Sequence, residues 1–481
     1  MSMKLKLNKE DFKDKIMGCW IGKNIGGTLG GPFEHKHDPN NVTGFTTQKG
    51  EPLPNDDLDL QLVWLRAMKD VGPKALDSNA LADHWLSYIA PNWNEYGIGK
   101  SNLYMGLLPP MSGEYNNFWK HSNGAWIRSE IWACFSAGIP NVAVKYAIMD
   151  ATVDHGFGEG TYAEIFTASM QSMAFFESDI RKLIENALKY IPEDCRVARS
   201  IKIVLDSYDK GLSWLEARER VVKDNLDLGW FQAPGNVAFA VIGLVYGEGD
   251  FKQSLLYAVN CGDDTDCTCA TCGAVLGIIY GAKALPEDWK EYIGDRIINM
   301  CVNGSYSNVI PLSCTELTED VLKLVPSVLE TYGVEVEYVE GESSMDEVDA
   351  DSILSGYSDK VLSRSPYSFE INSLLHTSAV VEYEKEPHIR PNEQFKVKVT
   401  LENIRKDPYY YEINVALPEG WTAEYNKTVH VFEPTEYVKG VTKFEILITA
   451  GERVETINRI PVMISPKSHA VPVMLPLVLL G

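Results

Sequence analysis

The 481-residue sequence has few basic residues for its number of acidic ones, and it has no long apolar run. Its 44 lysines and arginines against 67 aspartates and glutamates give a formal net charge of -23. Such a surface repels phosphate backbones and anionic lipid, which argues against nucleic acid and membrane as partners. No run approaches the roughly 18 to 20 apolar residues of a membrane span. A small anionic substrate, bound locally, is not excluded, and the oligomeric state is not predicted.

A complete zinc signature, with two CxxC pairs or one CxxC pair and partner histidines, is lacking as well. Four of the nine cysteines lie close together at positions 261, 267, 269 and 272, but their single CxxC has no second CxxC to pair with and no partner histidines. Because free cysteines are usually buried, we expect reduced, buried thiols. The N-terminal segment also has no apolar core of signal-peptide length. These features favour a cytoplasmic protein.

Strand-like alternation is scarce in the first two thirds of the chain. Apolar residues there recur at helical spacing, as in Thr161–Phe176, which predicts an all-α domain over residues 1–335. Residues 336–368 include an acidic, serine-rich stretch that predicts a linker or crossover. Residues 369–481 alternate apolar and polar side chains, which predicts an all-β, immunoglobulin-like sandwich. The chain is therefore expected to be a multidomain protein.

Two acidic clusters lie far apart in the sequence, and each leads straight into an apolar helix. They are Asn55-Asp56-Asp57-Leu58-Asp59 and Gly262-Asp263-Asp264-Thr265-Asp266-Cys267. Adjacent carboxylates are costly unless a cation neutralises them. If the fold brings the clusters together, the simplest ligand for them is a pair of hard divalent cations. Oxygen ligands suit Mg²⁺, Mn²⁺ or Ca²⁺ rather than zinc. Helix capping is the alternative for each cluster taken singly.

A third feature is the glycine-rich segment near the N-terminus. It lacks the Gly-Lys-Ser/Thr of a phosphate-binding loop. Gly18, Gly22 and Gly26 are spaced by four, which predicts that they line one face of a helix and let a second helix approach closely. Glu34, just after these glycines, is the acid that we expect to reach a substrate.

Taken together, these features resemble the ADP-ribosylglycohydrolase family, which includes the dinitrogenase reductase-activating glycohydrolases. Five family motifs have counterparts, in family order and spacing, over about residues 12–300. Their positions are 26–34 for the glycine-rich end with its glutamate, 55–57 for Thr-Asp-Asp, 122–128 for Ser-Asn-Gly-x-x-x-Arg, 152–155 for Thr-x-x-His and 263–267 for Gly-Asp-x-Asp-Thr.

The resemblance implies an ADP-ribosylglycohydrolase-like helical domain with two divalent cations, Mg²⁺ or Mn²⁺, that grip the ribose of the substrate. The implied metal ligands are Asn55, Asp56, Asp57, Asp264, Asp266 and Cys267. The implied catalytic residues are Glu34, as general acid or base, and Asp264, and the implied substrate contacts are Asn123, Gly124 and His155.

Three positions depart from the family pattern. Gly27 stands where the family has aspartate, and Asn55 and Cys267 stand where it has threonine. An amide oxygen still suits a hard cation, whereas a thiol is a poor Mg²⁺ ligand. The departures leave three functional hypotheses open. The first is a hydrolase that cleaves a glycosidic bond to ribose or a ribose-like furanose, with ADP-ribosyl conjugates as candidate substrates. The second is a carbohydrate-directed furanosidase or glycosidase. The third is a non-catalytic protein that binds ADP-ribose or a sugar.

Overall fold

The computed structural model describes residues 3–345, 352–374, 376–405, 407–467 and 472–481. Residues 346–351, in the predicted linker, lie outside the described part. The chain divides into two compact units. The first unit comprises Met1–Gly97, Phe118–Ala151 and Phe157–Asp359, and the second comprises Ile98–Asn117, Thr152–Gly156 and Lys360–Gly481. The predicted boundaries at 335/336 and 368/369 stay a prediction.

The α-helices of the described residues are α1 (Lys9–Gly30), α2 (Asp56–Val71), α3 (Ser78–Tyr88), α4 (Asn94–Met105), α5 (Met111–Glu114), α6 (Glu130–Phe135), α7 (Pro140–Ala151), α8 (Glu159–Ala174), α9 (Ile180–Ala187), α10 (Arg196–Asp209), α11 (Trp214–Asp224), α12 (Ala233–Tyr246), α13 (Phe251–Asn260), α14 (Thr265–Tyr280), α15 (Glu287–Ile293), α16 (Cys314–Glu330) and α17 (Tyr357–Leu362). This confirms the predicted helical region. In the described part of the chain, every helix is too short or too polar to cross a membrane.

The strands are β1 (Met3–Asn8), β2 (Val334–Val339), β3 (Ser344–Met345), β4 (Ser368–Leu374), β5 (Thr377–Tyr383), β6 (Gln394–Asn403), β7 (Tyr409–Val415), β8 (Thr422–Tyr425), β9 (Thr428–Val431), β10 (Val441–Thr449), β11 (Ile457–Pro466) and β12 (Val473–Leu480). The first three form a small sheet in the first unit, where β1 pairs in parallel with β2. Sequence analysis did not predict this sheet.

The strands of the second unit form two antiparallel sheets, ordered β4-β5-β6-β10-β8 and β12-β11-β7-β9. Alternate residues of both sheets enter one hydrophobic core, among them Val397, Ile446, Ile460 and Leu477. Inward and outward side chains alternate along a strand, so each sheet buries one face and exposes the other. This confirms the predicted all-β region, and its assignment as immunoglobulin-like stays a prediction.

In the first unit, α1 and α14 touch through their backbones. A Cβ built on Gly18, Gly22 or Gly26 would lie 2.0–2.2 Å from a carbonyl oxygen of α14, and Gly30 is in the same position at the end of α1. The carbonyl oxygens belong, in order, to Gly277, Gly273, Cys269 and Thr265. The predicted role of the three glycines in close helix packing is thus confirmed. The contact runs to the first residue of α14, where the second acidic cluster lies.

Candidate metal centre and active site

The two acidic clusters meet at the N-terminal ends of α2 and α14, beside Glu34. Ligand atoms of Asp57, Asp266 and Cys267 lie within 4.8 Å of one another, and so do ligand atoms of Glu34, Asp264 and Asp266. Asp266 belongs to both groups. The arrangement therefore offers two neighbouring positions for a cation, with one carboxylate shared between them.

Capping explains only part of the first cluster. The side chain of Asn55 caps α2, because its Oδ1 accepts a hydrogen bond of 2.7 Å from the backbone N–H of Asp57. Asp59 accepts hydrogen bonds from the backbone N–H groups of Met300 and Cys301, at 2.6 and 2.9 Å. It therefore fixes a loop. The amide oxygen of Asn55 keeps a second lone pair, and its role as a ligand stays a prediction.

Capping does not explain the second cluster. Asp264 occupies the N-cap position of α14, yet its side chain makes no capping hydrogen bond. Its Oδ2 accepts instead from Asn123 Nδ2 at 2.6 Å. Asp263 accepts from Asn236 Nδ2 at 2.8 Å and from the backbone N–H of Phe231 at 3.1 Å. Asp263 is thus held by a structural network, while Asp264 faces the other acids.

Burial raises the pKa values of the clustered acids. Together with the charge of Asp266, it raises the pKa of Asp56 to about 6. Burial and the charges of Asp266 and Asp56 raise the pKa of Glu34 to about 8. Burial is also the largest cause that raises the pKa values of Asp57 and Asp264 well above their usual range. The acids therefore need a compensating positive charge to be ionised together near neutral pH.

The donor atoms fit divalent cations. Asp57 is fully buried, and its Oδ2 has no hydrogen-bond partner among the described residues. Asp266 is partly buried, and its Oδ1 atom is also buried without a hydrogen-bond partner among the described residues. The buried ammonium of Lys23 lies 3.8 Å from Asp57 Oδ2 but is closer, at 3.1 Å, to Glu130 Oε2. One ammonium shared with another acid leaves most of the cluster's charge uncompensated, and carboxylate oxygens are the ligands that Mg²⁺ and Mn²⁺ prefer.

We expect the metal-free protein to lose stability as the pH rises from about 5 to 8. The folded state holds protons on Asp56 and Glu34 more tightly than the unfolded state does, so unfolding releases protons in this window and a rising pH favours it. The measurement is the melting temperature across this range with a chelator present. Glu34→Gln should show a weaker pH dependence, and an unchanged dependence in that variant would contradict the assignment to Glu34.

The candidate centre forms part of the wall of a cavity of about 860 Å³ in the first unit. Its acidic lining consists of Glu34, Asp56, Glu95, Asp264 and Asp266, and aromatic side chains line it at Trp93, Tyr96, Trp119 and Phe231. The volume lies in the range of small-molecule and cofactor sites. Flat aromatic walls beside convergent acids suit a ligand that combines rings with hydroxyl groups.

The motif at 122–128 builds one wall of this cavity. Asn123 is held between Asp264 and the indole of Trp126, whose Nε1 donates to Asn123 Oδ1 at 3.1 Å. A side chain at Gly124 would lie 2.2 Å from Glu95 Oε1, so the glycine makes room for that acid. The buried Arg128 donates to the carbonyl of Gly124 at 2.6 Å. Asn123 and Gly124 both line the cavity, and their contact with a substrate stays a prediction.

His155 belongs to the second unit. It is fully buried in the chain, and its Nδ1 lies 2.9 Å from Asp154 Oδ1. Its predicted contact with a substrate stays a prediction.

Sequence analysis missed Glu95 and Tyr96. Tyr96 donates its hydroxyl hydrogen to Asp56 Oδ2 at 3.1 Å, and Glu95 lines the cavity beside it. Both lie in the first turn of α4, in a segment that carries no recognised motif. The closely spaced Trp93, Glu95 and Tyr96 were a weak signal, since acids and aromatics are common on ordinary helix starts.

Comparisons with known proteins agree with the resemblance. A family model described as ADP-ribosylglycohydrolase matches residues 8–316. ADP-ribosylarginine hydrolase Tri1 of Pseudomonas putida (strain GB-1) is 33% identical over 300 residues, which are 60% of this chain and 76% of that protein. An uncharacterized protein of Archaeoglobus fulgidus is 27% identical over 304 residues, 59% of this chain and 93% of that protein. A solved structure described as an ADP-ribosylglycohydrolase-related protein complex aligns at 19% identity with a TM-score of 0.44, covering 67% of this chain and 99% of the other.

Proposed function

Because the chain belongs to the ADP-ribosylglycohydrolase family, we propose that it uses bound divalent cations to hydrolyse the glycosidic bond between an ADP-ribosyl group and its acceptor. The observation that carries the metal part of this proposal is the pair of donor groups that share Asp266. Two neighbouring positions suit a binuclear centre, in which one carboxylate serves both ions.

In this proposal, Asp57, Asp266 and Cys267 would hold one cation, and Asp264 and Asp266 would hold the other, beside Glu34. Asp56 and Asn55 lie beside them at the start of α2 and complete the ligand set. Bound Mg²⁺ or Mn²⁺ would orient the ribose hydroxyls and lower the pKa of a bound water.

The protein's own residues position these groups and the substrate. Asn123 fixes the Asp264 carboxylate, and Tyr96 fixes that of Asp56, so neither is free to rotate away from the centre. Glu34 is partly exposed in the cavity beside Asp264 and Asp266, which suits a group that accepts and returns a proton at the substrate. We assign it the role of general acid or base.

Arginine is the acceptor that we propose, since a relative that shares 33% identity is an ADP-ribosylarginine hydrolase. The lining of the cavity supports this choice. Guanidinium groups bind carboxylates and stack on aromatic faces, and the cavity places Glu95 beside Trp93 and Tyr96.

The test compares peptides that carry ADP-ribose on arginine or on serine, incubated with the metal-stripped full chain and added Mg²⁺ or Mn²⁺. We expect release of free ADP-ribose, measured by mass spectrometry, from the arginine peptide, with loss of activity on chelation and recovery on readdition of the cation. Cleavage of simple furanosides with both peptides inert would contradict the proposal in favour of a furanosidase. Tight binding of ADP-ribose without turnover would contradict it in favour of a binding protein.

A further inference from the structure

We infer that Cys267 gives one of the two cation positions a sulfur ligand, so that this position selects a thiophilic ion of the Zn²⁺, Fe²⁺ or Co²⁺ class. The other position, with oxygen ligands alone, keeps the preference for Mg²⁺ or Mn²⁺. The inference rests on the metal centre of the proposed function and makes that centre chemically asymmetric.

The first support is the position of the sulfur atom. Cys267 Sγ lies 3.3 Å from Asp57 Oδ1, in the group that also contains Asp266. Tetrahedral ligation at ordinary Zn–S and Zn–O bond lengths places sulfur and oxygen about 3.5 Å apart. The hydrogen-bonded sulfur and oxygen would therefore need to move little to hold a shared ion.

The second support is the state of Asp57. This carboxylate is fully buried, and its Oδ2 has no hydrogen-bond partner among the described residues, since the ammonium of Lys23 stays 3.8 Å away and lies closer to Glu130. A buried carboxylate oxygen without a partner is costly. A cation bound between Asp57, Asp266 and Cys267 would satisfy it.

The other cysteines of α14 show that this placement is not a general property of the helix. Cys269 donates its S–H to the carbonyl of Leu255 at 3.4 Å, and Cys272 donates to that of Ala240 at 3.1 Å. Both are buried thiols bonded to backbone. Cys267 is the α14 cysteine that lines the cavity and faces carboxylates.

Thiophilic cations favour thiolate sulfur, whereas Mg²⁺ favours oxygen. In the metal-free protein the thiol donates its hydrogen to Asp57. On binding, the S–H bond breaks, the metal–sulfur bond forms and one proton leaves to solvent. Burial and the charges of Asp264 and Asp266 raise the pKa of the Cys267 thiol, so the proton leaves only as the cation binds.

The test is a titration of the metal-stripped full chain with Co²⁺ and with Cd²⁺, followed by ultraviolet absorption. We expect a sulfur-to-metal charge-transfer band in the wild-type protein. Cys267→Thr should lose the band and bind Cd²⁺ roughly tenfold more weakly or worse, while its affinity for Mg²⁺ does not fall. Cys269→Ser is the matched control on the same helix and should keep the band.

Cys267→Ser, which is nearly isosteric, serves as a second variant if the threonine protein does not fold, and circular dichroism checks both. A wild-type protein without a charge-transfer band, or a band that persists in both Cys267 variants, would overturn the inference. Hydrolysis supported by Mg²⁺ without any such band would refute sulfur ligation while leaving the proposed function standing. A Cys267-dependent band in an inactive protein would support the sulfur ligand and refute the proposed function.

Discussion

Replacing Asp266 by asparagine should abolish hydrolysis and remove both cations. The Asp266 carboxylate belongs to both donor groups of the described residues, so this one substitution reaches both positions. An amide keeps the shape of the side chain but carries no charge and offers only one oxygen. Since bound metal supplies several kcal/mol of transition-state stabilisation, we expect kcat to fall by about 10³-fold or more, or ~4 kcal/mol. Activity assays and metal analysis of the purified variant measure the two effects.

Asp59→Asn is the matched control, because Asp59 lies in the other acidic cluster but is turned away from the centre. Its Oδ2 accepts two backbone hydrogen bonds from the loop at Met300 and Cys301, and an amide oxygen can accept both. Burial raises the pKa of Asp59 to about 7, so a neutral side chain is tolerated there. We expect this variant to keep its metal and its activity. Equal losses in both variants would show that general damage, and not ligand loss, explains the Asp266 result.

The local sequence predicted most of the helices and strands, because each depends on a short-range pattern of apolar and polar residues. The 3-4 spacing of apolar residues over Thr161–Phe176 predicted a helix that the structure places at Glu159–Ala174. The strand β1 was not predicted, although Met3, Leu5 and Leu7 alternate with lysines. Its partner β2 lies at the far end of the first unit, and no local pattern encodes a pairing between such distant segments.

The sequence predicted which two acidic clusters form the candidate site, but not which carboxylates of each cluster face it. Adjacent acids look alike in a sequence, yet side-chain direction separates them. Asp264 and Asp266, two residues apart, face the centre, whereas Asp263 turns to Asn236. For Tyr96 the sequence held only a weak signal, since its hydrogen bond to Asp56 depends on how α4 packs. Residue type and order thus predict the kind of chemistry, while tertiary contacts select the atoms that perform it.

Gly22→Ala should unfold or strongly destabilise the first unit, because Gly22 lies in the glycine contact between α1 and α14. The new Cβ would lie 2.0 Å from the carbonyl oxygen of Gly273 and 2.6 Å from its carbonyl carbon. Both atoms are helix backbone and cannot rotate aside, so the two helices must separate. Alanine gains about 1 kcal/mol over glycine in helix propensity, but overpacking of this kind costs about 3 kcal/mol or more.

Gly235→Ala is the control, because Gly235 lies in α12 of the same unit with open space around its Cα. It should be neutral or slightly stabilising. Denaturant unfolding measures both variants. Separation of α1 from α14 also withdraws Asp264 and Asp266 from the start of α2, so any Gly22→Ala protein that still folds should bind cations more weakly than the control. Wild-type stability and cation affinity in that variant would contradict the backbone contact and, with it, the account of how the two acidic clusters are held together.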